Sequence, residues 1–146
     1  MIFSKACEYG IKAAVFVARS SGHNTRVSLQ DIANGIDSPV SFTAKILQKL
    51  VAQGIIHSQK GPTGGFEISL DRASEVRLSH IVAAIDGDAV YTGCGLGFEQ
   101  CDEERPCPVH HQFREIRERL RYMLESISLS DLSHDIDKGI SFLKQV

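Results

Sequence analysis

Residues 28–70 read SLQDIANGIDSPVSFTAKILQKLVAQGIIHSQKGPTGGFEISL, and the order of signals along them decides the fold. Ser28 stands before an apolar-periodic stretch, Leu29 to Asn34, with Asp31 three residues on, an acidic form of the capping box that starts a helix. Gly35 is expected to end that helix, because glycine tolerates the left-handed position after a last turn. Ser38-Pro39 opens the next helix, proline being accepted in a first turn, and the pattern runs to about Gln53 before Gly54 stops it. Ile55 to Ser58 and Phe66 to Leu70 have strand composition. Gln59 to Gly65 between them is a glycine-rich hairpin tip. Helix, turn, helix, strand, wing, strand is the order of a winged helix-turn-helix. The expected fold class is mostly α with a small β-wing, extended by a long dimerisation helix.

The second helix of such a unit buries one face and shows the other to the major groove. Phe42, Ile46, Leu47 and Leu50 form the buried stripe; Ser41, Ala44, Lys45, Gln48 and Lys49 fall on the opposite side. Small residues there permit close approach, while hydroxyl, amide and ammonium groups can donate to base edges. Lys60 at the base of the wing, with Thr63 and the glycines of its tip, suits phosphate or minor-groove contact. A solvated helix face and an ordinary turn are the plain alternative for each piece taken alone; the whole order of elements is more specific.

Outward from this unit, the N-terminal residues 3–19 read as an amphipathic helix with Phe3, Cys7, Gly10, Ala14 and Val17 on one stripe. Lys5, Glu8 and Lys12 interrupt its apolarity, which argues against a signal peptide. No apolar run reaches the roughly 18 residues that a bilayer span needs, so no membrane partner and a cytoplasmic location are expected. Residues 1–70 hold seven Lys/Arg against four Asp/Glu, whereas residues 71–146 hold nine against fourteen; the basic half is the one suited to a polyanion. Leu78 to Asp86 reads as a short helix, and residues 87–108 as an irregular loop.

That loop carries Cys94, Cys101 and Cys107; the fourth cysteine, Cys7, reads as a core residue. Clustered cysteines in a cytosolic chain indicate a metal or redox site rather than disulfides. Zinc sites favour Cys-x2–4-Cys pairs, but here six and five residues intervene, and a glycine-rich loop of that width better suits an iron–sulfur cluster. His110 is a candidate nitrogen ligand, and His111 a weaker one. Asp102-Glu103-Glu104 reads as solvated loop. No nucleophile–base pair, phosphate loop or paired carboxylates stand out, so catalysis is not expected.

From about Pro108 to Ser128 runs what reads as the longest helix, followed by a short tail with room for another turn or two. Phe113, Ile116, Leu120, Met123 and Ile127 repeat at spacings of 3, 4, 3 and 4, the seam of a short coiled coil; over two heptads the alternative is a helix packed on its own domain. A two-fold operator calls for a two-fold protein, so a homodimer on double-stranded DNA is the expected assembly.

These residues resemble the IscR/NsrR-type iron–sulfur transcription regulators of bacteria, the Rrf-two superfamily. The resemblance spans nearly the whole chain and rests on Glu8-Tyr9-Gly10-Ile11-Lys12-Ala13, on the wing Lys60-Gly61-Pro62-Thr63-Gly64-Gly65-Phe66, on Ile81 to Gly87, and on the three-cysteine loop with its following helix. It implies a homodimeric regulator whose operator binding follows an iron–sulfur cluster that senses redox, nitric oxide or iron–sulfur status. It further implies Cys94, Cys101 and Cys107 as ligands, with a fourth from His110 or from Glu8 of the partner subunit, His110 being favoured. Three thiolates and one other ligand accept 2Fe–2S or 4Fe–4S; 2Fe–2S is the expected form, and one readily lost in air. The spacing departs from the family's commonest pattern, with six residues between Cys94 and Cys101 where five is usual. The expected division is 1–86 for DNA binding, 87–108 for the cluster loop and 109–146 for dimerisation. The competing reading is a constitutive winged-helix DNA-binding protein with a zinc or thiol site; a partner-binding adaptor without DNA is a third.

Overall fold

The computed structural model describes residues 2–145 and is built from eight helices and a two-stranded hairpin among them. Helix α1 (Lys5–Gly22) starts where the Ser4 hydroxyl accepts the Cys7 N–H at 3.0 Å. It runs past the expected end at residue 19 and packs against α2 (Leu29–Ile36), α3 (Val40–Ala52), α5 (Leu78–Asp86) and α8 (Leu129–Asp137). Cys7, Gly10, Ala14 and Val17 are buried as the stripe requires, while Phe3 lies outside the helix, partly buried on its core. Ile46, Leu47 and Leu50 of α3 close the core from below, each within 2% of full burial. Burial of a side chain of that size contributes about 1.5–3 kcal/mol.

The capping box at Ser28 forms in both directions: Asp31 N–H donates to Ser28 Oγ and Ser28 N–H to Asp31 Oδ2, each at 3.1 Å. Gly35 does not end α2. The left-handed residue is Asp37, at φ 54°, and a Cβ at Gly35 would overlap the ring of Phe16 in α1. Glycine is there for the close approach of two helices, and the turn itself comes two residues later. After α3, Gly54 does take a left-handed conformation, at φ 69°.

The strands are shorter than their composition suggests. β1 (His57–Gln59) pairs antiparallel with β2 (Gly65–Glu67), and Val27 adds a single bridge to Phe66. Ile55 and Ile56 precede the strand as buried core residues. Ser69 leaves the strand region because its side chain accepts the Arg72 N–H and starts α4 (Leu70–Glu75). Two further helices lie where loop and tail were expected: α6 (Ala89–Thr92) inside the cysteine segment, and α8, which opens with a second capping box, Ser128 with Asp131. Helix α7 (His110–Ser126) has 17 residues against 18 in α1, so the longest helix is the first.

The turn between α7 and α8 is tied back to the middle of the chain. Leu78 N–H donates to the Ile127 carbonyl at 3.1 Å, and Leu129 N–H to the Val76 carbonyl at 3.0 Å. Leu124 and Leu129 are fully buried on either side of it.

Gly35→Ala tests the α1–α2 contact. Overpacking a close-fitted core costs about 1–3 kcal/mol, and overlap with an aromatic ring lies at the upper end, beyond the gain of about 1 kcal/mol from alanine in a helix. Urea unfolding followed by circular dichroism is expected to show a net loss of stability.

Candidate DNA-reading surface and cysteine centre

Helix α3 presents Ser41, Lys45, Gln48 and Lys49 to solvent, with Ala44 half-buried between them. Its buried side includes Thr43, which the apolar stripe did not single out. The Thr43 hydroxyl donates to the Pro39 carbonyl at 2.7 Å and meets Ser38 Oγ, so it braces the first turn of α3 from within. The wing is set by backbone geometry. Gly61 and Gly65 have φ of 102° and 138°, and a Cβ on Gly64 would overlap the Gln59 carbonyl. Lys60, directly after β1, and Thr63, at the tip, stand exposed.

Arg26 holds that tip from α1's side: Nη1 donates to the Thr63 carbonyl and Nε to Glu67 Oε2, both at 3.0 Å. An arginine just before a strand-like valine carries no positional signal in the sequence; only the fold places it beneath the wing.

The cysteine segment runs from α6 to the start of α7. Cys94 is half-buried, and Leu96 N–H donates to its sulfur at 3.4 Å. That amide first, then those of Phe98 and Gly97 with the Cys107 thiol, hold the Cys94 thiol below its ordinary pKa against some desolvation. Next to it, a Cβ on Gly95 would run into the Phe113 ring, so the loop lies against α7 at that point. Cys101 Sγ lies 3.3 Å from His110 Nδ1 and receives Arg117 Nη2 at 2.9 Å. Arg117 Nη1 donates to the Gly93 carbonyl.

Cys107 is buried, and its carbonyl accepts the His110 N–H at 3.1 Å, the bond that starts α7. The His110 side chain is 3% exposed, and its Nε2 has no partner among the described residues. His111 is exposed and meets His110 edge-on at 5.1 Å.

Of these donors the structure brings Cys101 and His110 into direct contact. Among the described residues no three His, Cys, Asp or Glu side chains gather as the site of a metal ion. Glu8 pairs with Lys5 in its own helix at 3.5 Å. Cys7 is fully buried beside Asp86; burial first, then that carboxylate, pushes its thiol up to about 12.

On α7, the five apolar residues of the seam divide. Leu120 and Ile127 pack against the protein's own core, whereas Ile116 (61% exposed) and Met123 (39%) face solvent and Phe113 covers the cysteine loop. Tyr122, also exposed, lies outside the seam. No helix among the described residues is long and apolar enough to cross a membrane.

A family model described as Rrf2, iron-dependent transcriptional regulator, matches residues 3–135. The chain belongs to the Rrf2 family. An IscR-named helix-turn-helix transcriptional regulator of Serratia proteamaculans is 30% identical over 129 residues, which cover 88% of this chain and 77% of the relative. Among solved structures, CymR, the global cysteine regulator of B. subtilis, superposes with a TM-score of 0.73 at 21% identity over 90% of this chain and 95% of its own. IscR of T. potens superposes with a TM-score of 0.72 at 18% identity, over 98% and 92%. As an Rrf2 protein the chain is a DNA-binding transcriptional regulator with a winged helix-turn-helix, not an enzyme.

The four thiols are expected to separate by reactivity. The nucleophile is the thiolate, and a thiol raised to about 12 stays protonated through the neutral range. In chelator-treated protein at pH 8, iodoacetamide should label Cys94 first and Cys7 only after denaturation, as mass spectrometry of timed samples would show.

Proposed function

We propose that this Rrf2 protein is a homodimeric regulator whose operator binding is governed by an iron–sulfur cluster held by Cys94, Cys101, Cys107 and His110. The observation that carries the reading is the state of His110. A buried imidazole nitrogen without a partner is costly, and a bond to metal is a common means of satisfying one. The other nitrogen of the same ring, Nδ1, lies 3.3 Å from the Cys101 sulfur, and all three cysteines of the loop are free thiols. Gaps of six and five residues between the three cysteines of a glycine-rich loop favour a cluster, 2Fe–2S by preference, over tetrahedral zinc. Glu8 of the partner subunit is the alternative fourth ligand. When bound, the cluster supplies a centre that responds to oxidant, nitric oxide or iron–sulfur supply.

The protein's own residues carry a change in the loop toward DNA. Gly93 follows α6, and α6 follows α5 across Gly87. The tip of Ile85 in α5 fills the space where Gly10 of α1 lacks a side chain, beside Ile46 of α3. Ser4 N–H, at the head of α1, donates to Asp86 Oδ2 at 2.9 Å. A tilt of α5 therefore presses on the helix whose outer face carries Ser41, Ala44, Lys45, Gln48 and Lys49, the proposed base- and phosphate-reading set, with Lys60 and Thr63 on the wing.

Ile116 and Met123, with Phe113, Leu120 and Ile127 behind them, form the proposed dimer seam. Functionally, 1–86 reads DNA, 87–108 holds the cluster and 109–146 brings subunits together, in the cytoplasm.

Anaerobically purified protein is expected to be red-brown and to lose its visible absorbance when Cys94, Cys101 and Cys107 are changed together to Ala. Colourless protein with stoichiometric zinc by elemental analysis would instead establish the constitutive zinc-site regulator. DNA contact is tested separately on random-sequence duplex by fluorescence anisotropy. Lys45→Glu and Lys60→Glu should each weaken binding, and each should reduce the slope of log K against log salt by about 1 if its lysine neutralises one phosphate. Unchanged slopes would remove these lysines from the interface.

A further inference from the structure

Helix α7 turns three arginines toward the cysteine segment, at positions 114, 117 and 121. Arg114 pairs with Glu103, Arg121 lies over the Tyr91 ring at 4.9 Å, and Arg117 reaches Gly93 and Cys101. Of the three, only Arg117 touches a sulfur among the described residues. Its side chain is half-buried, and among the described residues no carboxylate lies within ion-pair distance of it. A guanidinium stays protonated at any ordinary pH, and withdrawing it from water needs a compensating anion. Here the group it faces is the Cys101 thiol, with a backbone carbonyl on its other arm.

We propose that Arg117 is a positioning residue for the cysteine centre. Its fork fixes the start of the loop at Gly93 to the middle of the loop at Cys101, and it sets a permanent positive charge against the Cys101 sulfur. The proposal rests on the cluster reading above. A thiolate-ligated cluster carries negative charge, and hydrogen bonds to its sulfurs tune its reduction potential. One N–H donor and one positive charge at Cys101 favour the reduced, more negative state, so they raise the potential. By holding Cys101 beside His110, Arg117 also slows release of the cluster. The two-armed geometry explains why arginine serves where lysine, a point charge on a flexible stem, would not.

The test uses the full-length protein, purified anaerobically as the wild type and as Arg117→Met, Arg117→Lys and Arg121→Met. The midpoint potential is read by optical redox titration, and cluster loss by the decay of visible absorbance in excess EDTA. Arg117→Met is expected to lower the potential and to lose its cluster about tenfold faster, the scale seen when a group supporting metal ligands is removed. Arg117→Lys should recover most of the potential but not the slow release, since the charge returns without the fork. Arg121→Met, which removes the contact to Tyr91 but none to sulfur, should leave the potential at the wild-type value.

Far-ultraviolet circular dichroism confirms that each variant is folded; if Arg117→Met is not, Arg117→Gln replaces it. A coloured wild type with the same potential and release rate in Arg117→Met overturns the role of Arg117 alone. A wild type that holds no iron overturns the cluster reading and this proposal with it.

Discussion

Helix α1 is the surface on which the rest of the protein is laid, and close approach to it is what the packing depends on. Two glycines make that approach possible. Gly10 leaves room for the tip of Ile85 beside Ile46, and Gly35 leaves room for the ring of Phe16. At both points helix axes come nearer than any side chain would allow. A core packed to crystal-like density does not absorb an extra methyl group by flowing around it, so α2, α3 and α5 are held in one arrangement about α1. The exposed face of α3 inherits its orientation from those contacts, which is how an apolar interior decides the aim of that polar face.

Much of this was legible in the sequence, because the deciding signals are local. The capping box at Ser28, the apolar stripe of α3 and the glycine-rich wing each act within a few residues of themselves. Legibility failed where a residue's meaning depends on what lies opposite. Gly35 reads as a helix end until Phe16 is placed against it. Arg117 reads as one more charge on a solvated helix until the loop from Gly93 to Cys101 is laid over it. Helix α8 is a different case. Ser128 and Asp131 repeat the capping pattern of Ser28 and Asp31 and are open to the same reading, but the segment that follows is polar, and its stability comes from packing on α1 and α4.

For the candidate site, the residue types and their clustering were visible while their pairing was not. The sequence groups Cys94, Cys101, Cys107 and His110 in one short region. It does not show that Cys101 sides with His110, or that His111, next in line, is exposed. The seam of α7 divides for a related reason. A spacing of three and four marks an apolar face but not what covers it, and here the protein's own core takes Leu120 and Ile127 and leaves Ile116 and Met123 outside.

The bridge between Arg77 and Ser128 and the packing of α8 on α1 join distant parts of the chain, and Asp137 binds Arg19 at 2.9 Å across 118 residues. During synthesis the first helix emerges long before the helix that completes its packing. Non-local closures of this kind are slow because chain entropy is lost before the contacts form. The winged unit, although early in the chain, thus acquires its full set of neighbours only once α8 has left the ribosome. Completion of the packing around the first helices is therefore timed by translation of the last one, and the cysteine loop, lying between them in the sequence, emerges before that closure is made.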